Sequence, residues 1–172
     1  LPAITPLDAE ELPETAPGLA RLLIDSVDGG ASVGFFAPLD FTTALRWWLA
    51  LEAPLRDGSA RIWLARQEDR VVGTIGLRLT GYPTGRHRAE VSKLLVHRDV
   101  RGQGLGRTLL AHAEREALAQ ELTLLFLDTE TGSVAENLYR RSGWTPVGTI
   151  PDFAHDPRGA LSPTTIFYKH LV

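Results

Sequence analysis

The sequence predicts a mixed α/β protein: a mostly antiparallel central sheet of about seven strands with helices on both faces. Three observations carry this expectation. Short apolar runs of strand length recur along the chain, separated by turn residues. Longer stretches place apolar residues at helical spacing. The two patterns come in the order two helices, a strand meander, two strand–helix units and two final strands, which fits a sheet covered on both sides.

The chain has 172 residues, 44% of them hydrophobic and 23% charged, which suits one domain (1–172) with a sizeable core. A net charge of −3 gives no whole-chain mark of a nucleic-acid binder. There is no cysteine, which excludes a disulfide framework, a thiolate nucleophile and a cysteine zinc site. It is also compatible with a reducing compartment, and a cytoplasmic location is expected. No apolar run reaches membrane-spanning length, so no membrane partner is expected. The sequence opens on Leu1 without a methionine, so an initiator is expected to have been removed or to lie outside it.

Along the chain, Leu1 to Leu7 reads as a short strand and Pro17 as the start of a helix that Gly29-Gly30 ends. Asp40 is a cap for a second helix, disturbed by Pro54 and closed by Gly58. Ala60 to Gln67 and Val71 to Leu79 form a hairpin, and Arg88 to Val96 is the next strand. A helix then runs to about Gln120. Leu122 to Thr129 is a central strand, and Ser133 caps a short helix that Gly143 ends. Trp144 to Ile150 is a strand, Pro151 to Pro163 a loop, and Thr164 to Val172 the last strand.

The chemistry concentrates where the strand ending Leu94-Leu95-Val96 turns through Arg101-Gly102-Gln103-Gly104-Leu105-Gly106-Arg107 into a helix. The first turn of a helix leaves N–H groups without intrahelical partners at the positive end of its dipole. Glycines let backbone approach a phosphate closely, and arginines add charge. The loop lacks the Gly-Lys-Ser/Thr of a Walker A motif and the spacing of a dinucleotide fingerprint.

Leu94-x-Val96 followed by Arg101-x-x-Gly104-x-Gly106 resembles the acyl-CoA loop of the GNAT-type N-acetyltransferases. The element order matches that family almost throughout. Gly29-Gly30-Ala31-Ser32-Val33-Gly34-Phe35 and Asp128 to Glu136 look particularly like the tabtoxin-resistance acetyltransferases within it. The resemblance implies acetyl-CoA as co-substrate, with its pyrophosphate on the backbone from Gln103 to Arg107. It further implies that the backbone of Leu94 and Val96 pairs with the pantetheine arm, the Leu94 N–H facing the thioester carbonyl. Gly132 stands where the family often has asparagine, so Ser133 is the substitute contact to acetyl-CoA.

Amide formation needs the acceptor ammonium to lose a proton. Glu90 and Asp128 are the candidates for that base, acting directly or through a water, and each could instead anchor the ammonium. A plainer role for either is to cap a loop or pair with an arginine such as Arg88. Strand alternation places Glu90, Ser92, Leu94 and Val96 on one face, and Asp128 with Leu124 and Phe126. Glu130 is expected to face solvent. Tyr139 sits where the family commonly has a tyrosine to protonate the leaving thiolate. The expected acceptor is a small amine, amino-acid-like or antibiotic-like, bound between the Gly29–Asp40 segment and the Pro151–Pro163 loop. One residue of Trp47-Trp48 belongs to the core and the other to the acceptor pocket. No histidine pair has metal-ligand spacing, so no metal is expected. A protein N-terminus or lysine as acceptor, or a non-catalytic CoA-binding module, stands as the alternative. Homodimers are common in the family.

Overall fold

The computed structural model describes residues 2–172. One sheet of seven strands runs in the order β1-β2-β3-β4-β5-β7-β6. The strands are β1 (Ile4–Pro6), β2 (Ala60–Gln67), β3 (Arg70–Leu79), β4 (Arg88–Val96), β5 (Leu124–Glu130), β6 (Thr145–His155) and β7 (Leu161–His170). Neighbours pair antiparallel except β4 and β5, which are parallel. That junction is where the chain crosses over through a helix, as parallel pairing requires.

Five helices cover the sheet: α1 (Leu12–Asp28), α2 (Phe41–Leu49), α3 (Glu52–Asp57), α4 (Leu105–Ala119) and α5 (Val134–Arg141). On one face Leu12, Leu19 and Leu23 of α1 and Trp48 of α2 pack on Ile62, Leu64 and Leu95. On the other, Leu105, Leu109 and Leu110 of α4 and Tyr139 of α5 pack on Ile75, Leu125, Leu127 and Phe167.

Local chemistry explains the boundaries. α1 starts before Pro17, contrary to expectation, and carries that proline inside it. Pro17 forfeits one backbone hydrogen bond, but extending the helix buries Leu12 and Ala16 completely. Asp40 caps α2 by accepting the Thr43 N–H at 3.0 Å. Pro54 falls in the first turn of α3, where a missing N–H costs nothing, and Gly58 closes that helix at φ +78°.

The expected loop from Pro151 to Pro163 is mostly strand. β6 continues to His155 and β7 begins at Leu161. β6 is an edge strand, and its pairing with β7 shifts register between Ile150 and Ala154, which absorbs Pro151 and the positive φ of Asp152. The turn left over is closed by Asp156, whose carboxylate accepts the N–H groups of Arg158 (2.9 Å) and Ala160 (3.0 Å).

One polar contact joins the end of α1 to the segment after β4. The buried Asp25 carboxylate accepts the Arg98 backbone N–H at 3.0 Å and also bonds Arg98 Nε. Arg98 Nη2 donates to the Asp25 carbonyl at 3.2 Å. His97 Nε2 and Arg101 Nη2 lie 3.5 and 4.0 Å from the same carboxylate. Replacing Asp25 by alanine leaves these donors unpaired. The variant is expected to lose about 2–4 kcal/mol of unfolding free energy, read from the urea midpoint; a loss near zero would show that the contact does not hold the two segments together.

Candidate active site

β4 and β5 pair over only three positions, Arg88–Leu124, Ala89–Leu125 and Glu90–Phe126. Beyond them β4 continues beside β3 as far as Val96, and β5 beside β7 as far as Glu130. The two strands therefore part, leaving an opening between the end of β4 and the end of β5. His97 donates its N–H to Val72 of β3 at 2.9 Å. Backbone alternation from there turns the peptide groups of Val96 and Leu94 away from β3, toward the opening.

The side-chain faces of β4 differ from simple alternation. Thr74 pairs Leu95 while Gly76 pairs Ser92, so Ile75 alone opposes both Lys93 and Leu94. Lys93 takes φ +49° to accommodate the extra residue. Glu90 and Ser92 consequently face α2, whereas Leu94 and Val96 pack with the α4 core. The expectation that all four share one face is corrected by this bulge.

The loop leading into α4 is built for exposed N–H groups. Gly102 and Gly104 have φ of +75° and +84°, which a side chain adopts only with strain. A Cβ on Gly106 would meet Leu138 at 3.4 Å and Val96 at 3.6 Å, so α4 starts close against β4 and α5. No side chain caps α4, whose N-cap is Gly104. The first N–H groups of α4 thus remain free for an anion beside the strand opening. Leu105 is core, while Gln103 and Arg107 are exposed. Arg101 turns back, donating Nε to the Val96 carbonyl at 2.9 Å. Ser133 uses its hydroxyl to cap α5, accepting from Glu136 N–H at 3.1 Å, and Glu136 in turn accepts from Gly132 N–H.

Four titratable side chains gather at the opening. Glu90 forms an ion pair with Arg78 at 2.7 Å. Loss of hydration raises the Asp128 carboxyl pKa, and the Glu90 charge raises it further. Burial lowers the pKa of Lys93, assisted by Arg78 and opposed by Glu90 and Asp128. Burial raises that of Tyr139, and the Asp128 charge adds to it. Tyr139 is packed between Trp144 and Phe167, with ring centroids 5.8 and 6.0 Å away. Glu130 is set apart, accepting from the Ser162 hydroxyl at 2.9 Å.

The acceptor side is aromatic. Trp48 is fully buried and Trp47 half-buried, edge-on to Phe35 at 5.9 Å. The Lys93 ammonium stands 4.7 Å over the Trp47 ring and donates to the Val33 carbonyl at 3.2 Å. The two segments expected to flank the acceptor do meet: Ala37 N–H donates to Pro157 O at 2.8 Å. Asp40 and Asp156 are engaged by their own turns. Lys93 and Asp25 are the residues that sequence inspection passed over. Each is a single charge inside an apolar run, Lys93 in Val-Ser-Lys-Leu-Leu-Val and Asp25 in Leu-Leu-Ile-Asp-Ser-Val. A larger cleft of about 370 Å³ lies elsewhere, between β2 and the C-terminal half of α4 around Trp63 and His112.

The family model for the acetyltransferase (GNAT) family matches residues 23–144, from α1 through the loop and α4 to the end of α5. The chain belongs to the GNAT acetyltransferase family. It has the fold of that family. The streptothricin acetyltransferase of Escherichia coli is 33% identical over 81 residues, 46% of this chain and 46% of that protein. The matches to curated relatives span less than half of those proteins' own length. Among solved structures, the ribosomal-protein-alanine N-acetyltransferase of Brucella melitensis is 27% identical with a TM-score of 0.78, covering 98% of this chain and 99% of that one. The yncA protein of Salmonella typhimurium, solved with its cofactor acetyl-CoA, has a TM-score of 0.77 at 19% identity, covering 100% and 95%. The streptothricin match agrees with the resemblance to toxin- and antibiotic-resistance acetyltransferases. Among the described residues no helix is long and apolar enough to cross a membrane.

A raised folded-state pKa means that ionised Asp128 is disfavoured by folding. Its cost is absent below the ordinary carboxylate pKa, appears as pH rises toward the raised value, and is complete above it. Asp128→Asn is therefore expected to melt higher than the native chain at pH 7, with the difference vanishing near pH 3. A lower melting temperature at pH 7 would contradict this electrostatic description.

Proposed function

We propose that this chain is a single N-acetyltransferase domain that moves the acetyl group of acetyl-CoA to the amine of a small molecule, by direct attack of the amine on the thioester. The observation that carries the proposal is the juxtaposition of a parted strand pair with an uncapped helix start. An extended arm fits between β4 and β5, and a pyrophosphate fits the free N–H groups beside it. The residues present fit acetyl-CoA: glycines of positive φ at positions 102 and 104 hold the N–H groups outward, with nothing within 4 Å of where a Cβ would stand.

Acetyl-CoA supplies an acetyl group activated as a thioester. In the proposed division of labour, the backbone from Gln103 to Arg107 holds the pyrophosphate, and the Leu94 and Val96 peptide groups orient the arm. The Leu94 N–H polarises the thioester carbonyl. Asp128, whose raised pKa makes it a stronger base than an ordinary carboxylate, takes the ammonium proton, directly or through a water. Glu90, neutralised in part by Arg78, orients the amine. Tyr139 stays protonated at any working pH because burial raises its pKa. Its hydroxyl is suited to donating a hydrogen bond to the departing sulfur. Full transfer from so weak an acid to a thiolate, conjugate to a thiol of pKa near ~8.5, runs uphill. With its hydroxyl committed to capping α5, Ser133 contributes to acetyl-CoA binding through the position of that helix start.

A protein N-terminus as acceptor is the second reading, favoured by the full-length likeness to the Brucella melitensis enzyme. Competition between free amino acids and short peptides separates the two.

Calorimetric titration with acetyl-CoA is expected to show micromolar binding that Gly104→Glu abolishes, since the variant places a carboxylate and a strained φ in the anion site. No binding by the native chain would remove the proposal. Asp128→Asn is expected to retain that affinity while lowering turnover by about 10²–10⁴. The native rate should fall on the acid side through a pKa above the ordinary carboxylate range, and a limb at or below that range would exclude Asp128 as base.

A further inference from the structure

A small cavity of about 70 Å³ lies between α2 and the α2-facing side of β3 and β4. Two of its lining side chains are fully buried with polar atoms that lack any partner, the Trp48 indole Nε1–H and the Thr74 hydroxyl. Buried polar groups of folded proteins are nearly always paired, so two in one cavity mark a place where something else supplies the acceptors. The rest of the polar wall has the same character. Ser92 adds a hydroxyl, Arg61 a guanidinium whose buried Nε also lacks a partner, and Lys93 and Arg78 further donors already engaged by the Val33 carbonyl and Glu90. Among the described residues no carboxylate lines the cavity. Tryptophan, lysine and arginine side chains only donate, and each hydroxyl can donate once. Gly76 keeps the space open, because a Cβ there would stand 3.2 Å from the Ser92 hydroxyl.

We infer that this cavity is the carboxylate subsite of the acceptor, which makes the preferred substrate a free α-amino acid or a close analogue. The inference rests on the proposed reading that Glu90 and Asp128 receive the amine. Size and spacing agree with it. A water molecule takes about 30 Å³ of liquid volume, so the cavity holds a carboxylate or about two waters. Glu90 and Ser92 lie two residues apart on one strand face, about 7 Å along β4. The amine and carboxylate oxygen of an α-amino acid are about 3 Å apart. With one hydrogen bond at each end, that unit spans from Glu90 to the donors around Ser92. The aromatic wall of Trp47 and Phe35 then stands beside the amino-acid side chain.

The test is steady-state acetyl transfer at saturating acetyl-CoA. The acceptors are the standard α-amino acids, their α-carboxamides and the matching decarboxylated amines. The native chain is expected to favour the free acid in kcat/KM by about tenfold or more, because a site of buried donors rejects an analogue that leaves them unpaired. Thr74→Val, nearly isosteric, is expected to raise KM for the acid about tenfold with kcat within about twofold, so that the preference over the amide collapses. Ser92→Ala, which removes a second lining hydroxyl without touching the charged cluster, is expected to do the same, guarding against a folding defect in one variant. Equal use of acid and amide by the native chain overturns the inference. So does an equal effect of Thr74→Val on both, or turnover of peptides or polyamines with none of free amino acids. The cavity is then a water-filled packing space. Each of these failures leaves acetyl-CoA binding intact, whereas failure of the proposed function shows in the calorimetric titration itself.

Discussion

A parallel strand pair ordinarily stays paired until one strand ends. β4 and β5 part after three positions although both continue, because each is held by its outer neighbour, β3 on one side and β7 on the other. Their separation exposes peptide groups in the middle of the sheet, where unpaired polar backbone is costly. Such an opening persists when water or an extended ligand completes the hydrogen bonding. The bulge at Lys93 belongs to the same device. It lets β4 keep its pairing with β3 while redirecting its side chains, so that Glu90 and Ser92 leave the strand on one face and the apolar supports of α4, Leu94 and Val96, on the other.

Around this opening the two helix starts are treated differently. α5 has a reciprocal cap: Ser133 accepts the Glu136 N–H, and the Glu136 carboxylate accepts the Gly132 N–H just before the helix. α4 has none, and glycine occupies its N-cap. With glycine in place of a capping side chain, the helix start gives up only about a few tenths of a kcal/mol, and the N–H groups it leaves free are those proposed to receive a phosphate. Asp25 offsets the looseness from the other side. By binding the backbone and side chain of Arg98, it fixes the segment before the glycines to the end of α1. Arg101, tied to Val96 and near Asp25, serves the same anchoring more directly than it serves an anion.

Much of the architecture was legible in the sequence because the relevant signals are local. Apolar runs located the core strands, Asp40 and Ser133 cap the helices they were assigned to, and Gly58 and Gly143 end theirs at positive φ. The features that escaped depend on partners far along the chain. The bulge lies within Val-Ser-Lys-Leu-Leu-Val, where continuous apolar residues conceal a change of face. Proline and aspartate between 151 and 163 signal a loop, yet an edge strand tolerates both through register shifts. Asp25 reads as a polar interruption of a helix until Arg98 is placed against it 73 residues later. The candidate site was legible as a set of residue types, Glu90, Asp128 and Tyr139 with the glycine loop. What sequence could not convey is the balance among them, in which lost hydration and the Glu90 charge raise the Asp128 pKa against a smaller opposing pull from Arg78 and Lys93.

The central claim is that the strand opening and the uncapped start of α4 together receive acetyl-CoA. Amide hydrogen exchange resolved to single residues, with and without acetyl-CoA, tests it most directly. The expected result is slowed exchange at Leu94 and Val96 and from Gln103 to Arg107, with the capped start of α5 little changed. Protection confined to the cleft around Trp63 and His112, or unaltered exchange at both the strand end and the loop, would contradict the account.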